Sequence, residues 1–191
     1  SSRKEYVLQV LQAADRSQGL LENLLLWARS QMQSVSYKPV SLEADSILRE
    51  SVKPLRGSIE HKKLHLDLHA EESLELYADR EMVMAIVRNL VTNAIKFSFP
   101  GERIEIRGYR EGDQCCIQVK DQGIGMQPEV RDSLFKQSGY SSTPGTTGES
   151  GSGLGLIICR EFTEKNKGSI AVESSPANGS TFTVCFPEFP R

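Results

Sequence analysis

No apolar run in the sequence approaches the roughly 20 residues that a membrane-spanning helix needs, and its opening Ser-Ser-Arg-Lys is not a secretory leader. Charge of one sign is lacking too. Lys and Arg number 23 against 25 Asp and Glu, so the net charge of -2 gives no global field to draw in nucleic acid or an anionic membrane. Cysteine is scarce, and Cys115, Cys116, Cys159 and Cys185 lack the paired CxxC spacing of a zinc site. Two of the four are adjacent, which suits a simple disulfide framework poorly, so reduced thiols in a cytoplasmic compartment are expected. What remains is a chain of 191 residues, 38% hydrophobic and 25% charged, long enough for one core and a helical appendage.

Residues 3–34 contain no proline and repeat Val7, Leu8, Leu11, Leu20, Leu21, Leu24, Leu25, Trp27 and Met32 at helical spacing. A long amphipathic helix is expected there. Its apolar face is wide enough to pack on another helix, one cut away or supplied by a second chain, or to fold back on its own domain. The abrupt start reads as mid-helix, so the chain is expected to derive from a longer one. A boundary falls at residues 35–40, where Pro39 marks a linker or edge strand.

Beyond it, Ile47, Val52, Leu55 and Ile59 predict a second helical stretch. Leu64–His69 and Leu74–Ala78 alternate like two strands paired with each other. Residues 80–98 predict an apolar helix, and 103–110 with 114–120 predict a hairpin around Glu111-Gly112-Asp113. A helix follows at 153–166, then a closing hairpin from 169–173 and 180–186. Strands arriving as hairpins between helices predict a two-layer α/β sandwich, a mixed and mostly antiparallel sheet with helices on one face. Between Phe135 and Gly151 almost nothing is apolar. A stretch that cannot hold itself by burial is either a lid over a site or a surface insertion.

Three local patterns carry chemistry. Asn89, Asn93 and Lys96 project from one side of the apolar helix, where amide oxygens suit magnesium and a lysine suits phosphate. The flanking Val83, Ile86, Val87, Leu90 and Ile95 embed this polar side in a buried helix, so it needs a partner. Asp121-Gln122-Gly123-Ile124-Gly125 ends a strand with a carboxylate able to accept from an exocyclic amine, followed by glycines that let backbone approach a flat ring. Gly151-Ser152-Gly153-Leu154-Gly155 opens a helix whose free amides can hold a phosphate. It fits neither the Walker nor the Rossmann pattern.

Together, in this order and with the polar stretch between the second and third, these motifs resemble the catalytic and ATP-binding domain of sensor histidine kinases. That domain shares a superfamily with DNA gyrase, heat-shock chaperone and mismatch-repair ATPases. The likeness covers about residues 37–187, and residues 1–36 resemble the second helix of the kinases' dimerisation hairpin with its linker. The resemblance implies ATP and Mg2+ as ligands, with Asn89 and Asn93 on the metal and phosphates, Lys96 on phosphate and Phe97 near the nucleoside. Asp121 would read the adenine amino group and Thr181 would face the ring. Gly123, Gly125, Gly151, Ser152, Gly153, Leu154 and Gly155 would shape the site, with Phe135, Lys136 and Gly148 in the lid.

Hydrolytic branches of that superfamily resemble one another in carrying glutamate, a base for water, four residues before the magnesium asparagine. Here that residue is Asn89, so transfer to a side chain is favoured over hydrolysis. None of His61, His65 and His69 precedes an acidic residue on an amphipathic helix, so no catalytic acceptor is expected in this chain. The implied function is a histidine kinase module of a two-component system, acting on a histidine of the same protein or its dimer partner. The implied partners are that acceptor domain and a response regulator, with a homodimeric parent, of which this would be the cytoplasmic part of a membrane-anchored sensor. A hydrolytic ATPase and a non-catalytic nucleotide-binding module are the alternatives.

Overall fold

The structure, a computed structural model, describes residues 37–135, 144–149 and 153–187. The helix expected over 3–34 lies outside them, as do Lys136, Gly151, Ser152 and most of the expected lid. The described elements belong to one compact unit, Tyr37–Arg191.

Strand β1 (Pro39–Glu43) leads into helix α1 (Ala44–Val52), which buries Ala44, Ile47, Leu48 and Val52 along one side. Pro54 lies in a 3-10 turn, Lys53–Leu55, and separates α1 from the short α2 (Arg56–His61). A proline has no N–H for the helical ladder, so the axis breaks there. Strands β2 (His65–Ala70) and β3 (Glu75–Asp79) follow.

Helix α3 (Arg80–Phe97) starts on an N-cap, where the Asp79 carboxylate accepts the Met82 N–H at 3.2 Å. It buries Met82, Val83, Ile86, Val87, Leu90, Val91 and Ala94. It stops as Ser98 turns extended, and Ser98 Oγ donates back to Ala94 O at 2.7 Å. Strands β4 (Arg103–Glu111) and β5 (Gln114–Asp121) form the expected hairpin, closed by Gly112 at φ +59. The short α4 (Pro128–Ser133), α5 (Gly155–Lys165), β6 (Ser169–Ser174) and β7 (Ser180–Pro187) complete the described elements.

The main sheet runs β2-β4-β5-β7-β6, antiparallel except for β2 beside β4. Ile104, Ile106, Ile117, Val119, Phe182, Val184 and Phe186 are buried at alternate positions of β4, β5 and β7 and build the core with α1, α3 and α5. Phe162 of α5 and Leu90 of α3 are fully buried. The expected two-layer sandwich with a mixed sheet is therefore the fold observed.

Two expectations are corrected. Strands β2 and β3 do not pair with each other; β2 joins β4, while β3 pairs antiparallel with β1 in a separate two-stranded sheet. Alternation specifies a half-buried strand, not its neighbour. The four cysteines are not all thiols either, because Cys116 and Cys185 form a disulfide. Adjacent strand residues point to opposite faces. Cys116 thus meets Cys185, its direct cross-strand partner with Cα atoms 4.0 Å apart, while Cys115 and Cys159 stay buried thiols outside the bridge.

This bridge joins residues 69 apart in sequence. Such a cross-link removes loop-closure freedom from the unfolded chain, typically about 2–4 kcal/mol. A reducing agent should lower the denaturant midpoint of the wild type, and the Cys116→Ser, Cys185→Ser double variant should have the lower midpoint with or without it. Equal midpoints for variant and oxidised wild type would remove the bridge from the stability account.

Candidate functional site

The end of α3 gathers the three patterns. Asn89 and Asn93, one turn apart, are half-buried, and Lys96 is buried at 7% exposure. Asn89 Nδ2 donates to Ala85 O at 2.9 Å. That fixes the amide, and its Oδ1 lies against the start of α5, where a Cβ on Gly155 would come within 2.9 Å of it. A larger residue there would push the Asn89 amide aside, so glycine lets the helix start this close. Among the described residues no side chain caps this end of α5. The N–H groups of Gly155, Leu156 and Ile157 precede the first helical bond, Ile158 N to Leu154 O. These amides carry the positive end of the helix dipole. Gly153 stands just before them at φ +72.

The second pattern meets the same helix from the sheet. Ile124 N donates to Phe97 O at 3.2 Å, and a Cβ on Gly123 would fall 2.0 Å from that oxygen. Gly125, at φ +63, is pressed on Ser175 O in the loop before β7. Gly179 N donates to Gly123 O at 3.0 Å and Ala177 N to Ile124 O at 2.8 Å, so the Asp-Gly motif is clamped between α3 and that loop.

Asp121 lies at the end of β5 and is 4% exposed. Its Oδ1 accepts the N–H of Gly123 at 2.9 Å and of Ser180 at 3.2 Å. Burial outweighs these two bonds and pushes the carboxyl up to about 6. The folded chain therefore holds a proton at pH 5 that the unfolded chain, with a carboxyl near 3.9, has released. The stability this group contributes is greatest in acid and is lost as pH rises from about 4 through 6, on the order of 2–3 kcal/mol. Asp121→Asn should flatten that part of the stability-pH curve; an unchanged curve would mean the carboxyl is not perturbed.

The lysine of the first pattern sits with its Nζ 4.8 Å from the Phe97 ring centroid. Burial lowers its pKa, opposed by the nearby Glu149 carboxylate. The described part of the polar stretch, residues 144–149, docks directly on this end of α3. Thr146 N donates to Lys96 O at 3.1 Å and Thr146 Oγ1 to Ser98 O at 2.6 Å, while Gly148, at φ +84, turns the segment back on Gly145 O. Phe135 is tied to α5 by Arg160 Nη1 on its carbonyl at 2.6 Å, and Leu134 beside it supplies the buried anchor.

Thr181 is corrected. Its cross-strand partner is the exposed Lys120, so it stands on the outer face of the sheet, opposite to Asp121. Ser180 occupies the position next to Asp121, and its hydroxyl lies 3.0 Å from that of Ser174. Sequence reasoning also missed Gly179, Gly145, Thr146, Lys62 and Glu149. The Asn178-Gly179 pair is a turn signal that marks the loop on which Gly125 rests; nothing in the sequence marks Lys62 or Glu149.

A family of histidine kinase-, DNA gyrase B- and HSP90-like ATPases matches residues 78–190, more than half of the chain. The chain belongs to this family. Within the ATPase family, the sensor-like histidine kinase SenX3 of Mycobacterium tuberculosis is 28% identical over 184 residues, covering 96% of this chain and 45% of its own length. The histidine protein kinase SaeS of Staphylococcus aureus is 32% identical over 152 residues, covering 78% of this chain and 43% of its own. The chain thus spans less than half the length of either relative.

Solved structures share the fold of this ATPase-family chain. The histidine kinase AdeS of Acinetobacter baumannii superposes with a TM-score of 0.75 at 21% identity, over 96% of this chain and 84% of its own. Full-length ShkA in complex with AMPPNP gives 0.76 at 20%, over 98% and 39%. Histidine kinase ThkA in complex with response regulator protein TrrA gives 0.73 at 21%, over 98% and 52%. Membership in an ATPase family supports ATP use by this chain.

Proposed function

We propose that residues 37–191 are the ATP-binding catalytic domain of a two-component sensor histidine kinase, which binds Mg-ATP and passes its γ-phosphate to a histidine outside this chain. Residues 1–36 are then the second helix of the dimerisation hairpin with its linker, in a homodimeric parent whose kinase region is cytoplasmic. Among the described residues no helix is long and apolar enough to cross a membrane. SenX3 and SaeS, both named kinases, support the reading, and ThkA with TrrA supports a response regulator as the next partner.

The observation that carries it is Asn89 against the start of α5. Its amide nitrogen is spent on Ala85 O, so a hard oxygen faces the α5 amides, with Asn93 one turn on. That donor set fits magnesium, which when bound supplies charge neutralisation on the phosphate oxygens. Asn89 is an amide and takes no proton from water near neutral pH, which disfavours hydrolysis. The amides of Gly155, Leu156 and Ile157 hold phosphate, Lys96 adds a positive charge beside it, and Asp121 accepts from the adenine amine. The segment around Thr146 excludes water from the transfer.

The test mixes the chain with labelled Mg-ATP, alone and with a second protein that carries the acceptor helix but a disabled nucleotide site. Expected are nucleotide binding, slow phosphate release, and acid-labile, base-stable phosphate on the second protein only. His61, His65 and His69 are exposed, the last two on the outward side of β2. Stable phosphate on any of them would overturn the external acceptor. Brisk phosphate release by the chain alone would establish the hydrolytic reading instead, and Asn89→Glu shows what restoring a base does to that rate.

A further inference from the structure

Lys62 follows α2 and is buried to 6% exposure, an unusual place for an ammonium group unless every proton is used. Here they are. Lys62 Nζ donates to Ile95 O at 2.6 Å, to Lys96 O at 3.0 Å and to Glu149 Oε1 at 2.5 Å. The two carbonyls are last-turn acceptors of α3, where a cation also meets the negative end of the helix dipole. The carboxylate belongs to the described part of the polar stretch, 87 residues further on.

Glu149 is built into that segment as tightly as into Lys62. Its Oε2 accepts Thr147 N at 2.9 Å and its own carbonyl accepts Gly145 N at 2.8 Å. Burial alone would raise its pKa, but the Lys62 bond and the backbone and Thr147 donors outweigh it and hold the carboxyl at about 2. The Glu149 carboxylate is therefore charged at any pH near neutral. The same Lys96 carbonyl that takes Lys62 also takes Thr146 N, and a Cβ on Gly145 would lie 2.7 Å from Lys96 Cγ. Gly145 thus packs against the stem of the lysine that faces phosphate in the function proposed above.

We propose that Lys62 is a positioning residue for Lys96: by joining the end of α3 to Glu149 it holds Gly145–Glu149 against the Lys96 stem and so places its ammonium for the nucleotide's phosphates. Lys62 itself touches no nucleotide. The inference rests on the ATP-site reading, and it makes a distinction that simple loosening of the fold does not. Losing Lys62 weakens the phosphate end of the site and leaves the adenine end, formed around Asp121, in place.

The test measures affinity of the full chain for a non-hydrolysable ATP analogue and for adenosine, together with amide exchange of residues 144–149 without nucleotide. Lys62→Met should weaken the analogue about tenfold or more, the effect of losing bonds to a charged group. Adenosine affinity should change little, and exchange at 144–149 should speed up. Lys62→Arg should recover most of the analogue affinity. Glu149→Gln, which cuts the same link from its more exposed side, should show the same split, and the double variant should be no worse than either single one. Unchanged analogue affinity, or equal losses for adenosine and analogue, in both Lys62→Met and Glu149→Gln would overturn the inference. A wild type that binds neither ligand would overturn the ATP-site reading and this inference with it.

Discussion

Asn93→Ala should remove the magnesium dependence of nucleotide affinity and cut phosphotransfer by at least about a hundredfold, the upper end of what losing even a supporting group at a metal site costs. The side chain is half-buried on α3, one turn after Asn89, which meets Gly155, and three residues before Lys96, which meets Gly145. The helix around it is held by Leu90, Val91 and Ala94, all buried, so truncation at Cβ leaves the core intact. Unfolding should stay cooperative with a midpoint close to the wild type. The check is calorimetric titration with a non-hydrolysable ATP analogue, with and without magnesium. A variant that keeps the wild-type magnesium dependence would take Asn93 out of the metal set and leave Asn89 alone in it.

Gly125→Ala should cost on the order of 3–5 kcal/mol of stability, a large fraction of what a domain has. Two effects add. Gly125 sits at φ +63, which any L side chain adopts only under strain of about 1–3 kcal/mol, and its Cβ would lie 1.9 Å from Ser175 O. Backbone cannot yield there cheaply, because Ala177 and Gly179 are bonded to the neighbours of Gly125. Gly112, at φ +59 in the β4-β5 hairpin with open space around it, supplies the comparison. Gly112→Ala carries the strain without the clash and should cost only about 1 kcal/mol. Equal losses at the two sites, read from denaturant midpoints, would show that the close approach to Ser175 does not matter. Because Asp121 hangs on Gly123 N, the Gly125 variant should also lose nucleotide affinity.

Much of this was legible because short-range patterns carry it. The helix over 80–98 is read from apolar spacing and ends where Ser98 and Pro100 stop it. The hairpins at 103–120 and 169–186 are read from alternation and glycine turns. Asn89, Asn93 and Lys96 share a helix side by arithmetic alone. The sequence said less about contacts that join distant segments. Motif likeness sets Thr181 toward the adenine ring, whereas cross-strand register turns it to the outer face and puts Ser180 beside Asp121. The pairing of β2 with β4, parallel and across α3, has no local signature.

By itself the sequence determined the element types, the two-layer class and the three motifs, because periodicity, turn residues and helix spacing are properties of neighbours along the chain. Only the tertiary structure decided that Cys116 meets Cys185, that Gly155 stops against Asn89, and that Lys62 reaches across to Glu149. Those contacts depend on which strands lie side by side and on which groups must be satisfied once buried. That is settled by packing the whole chain at once and leaves no mark at the residues concerned.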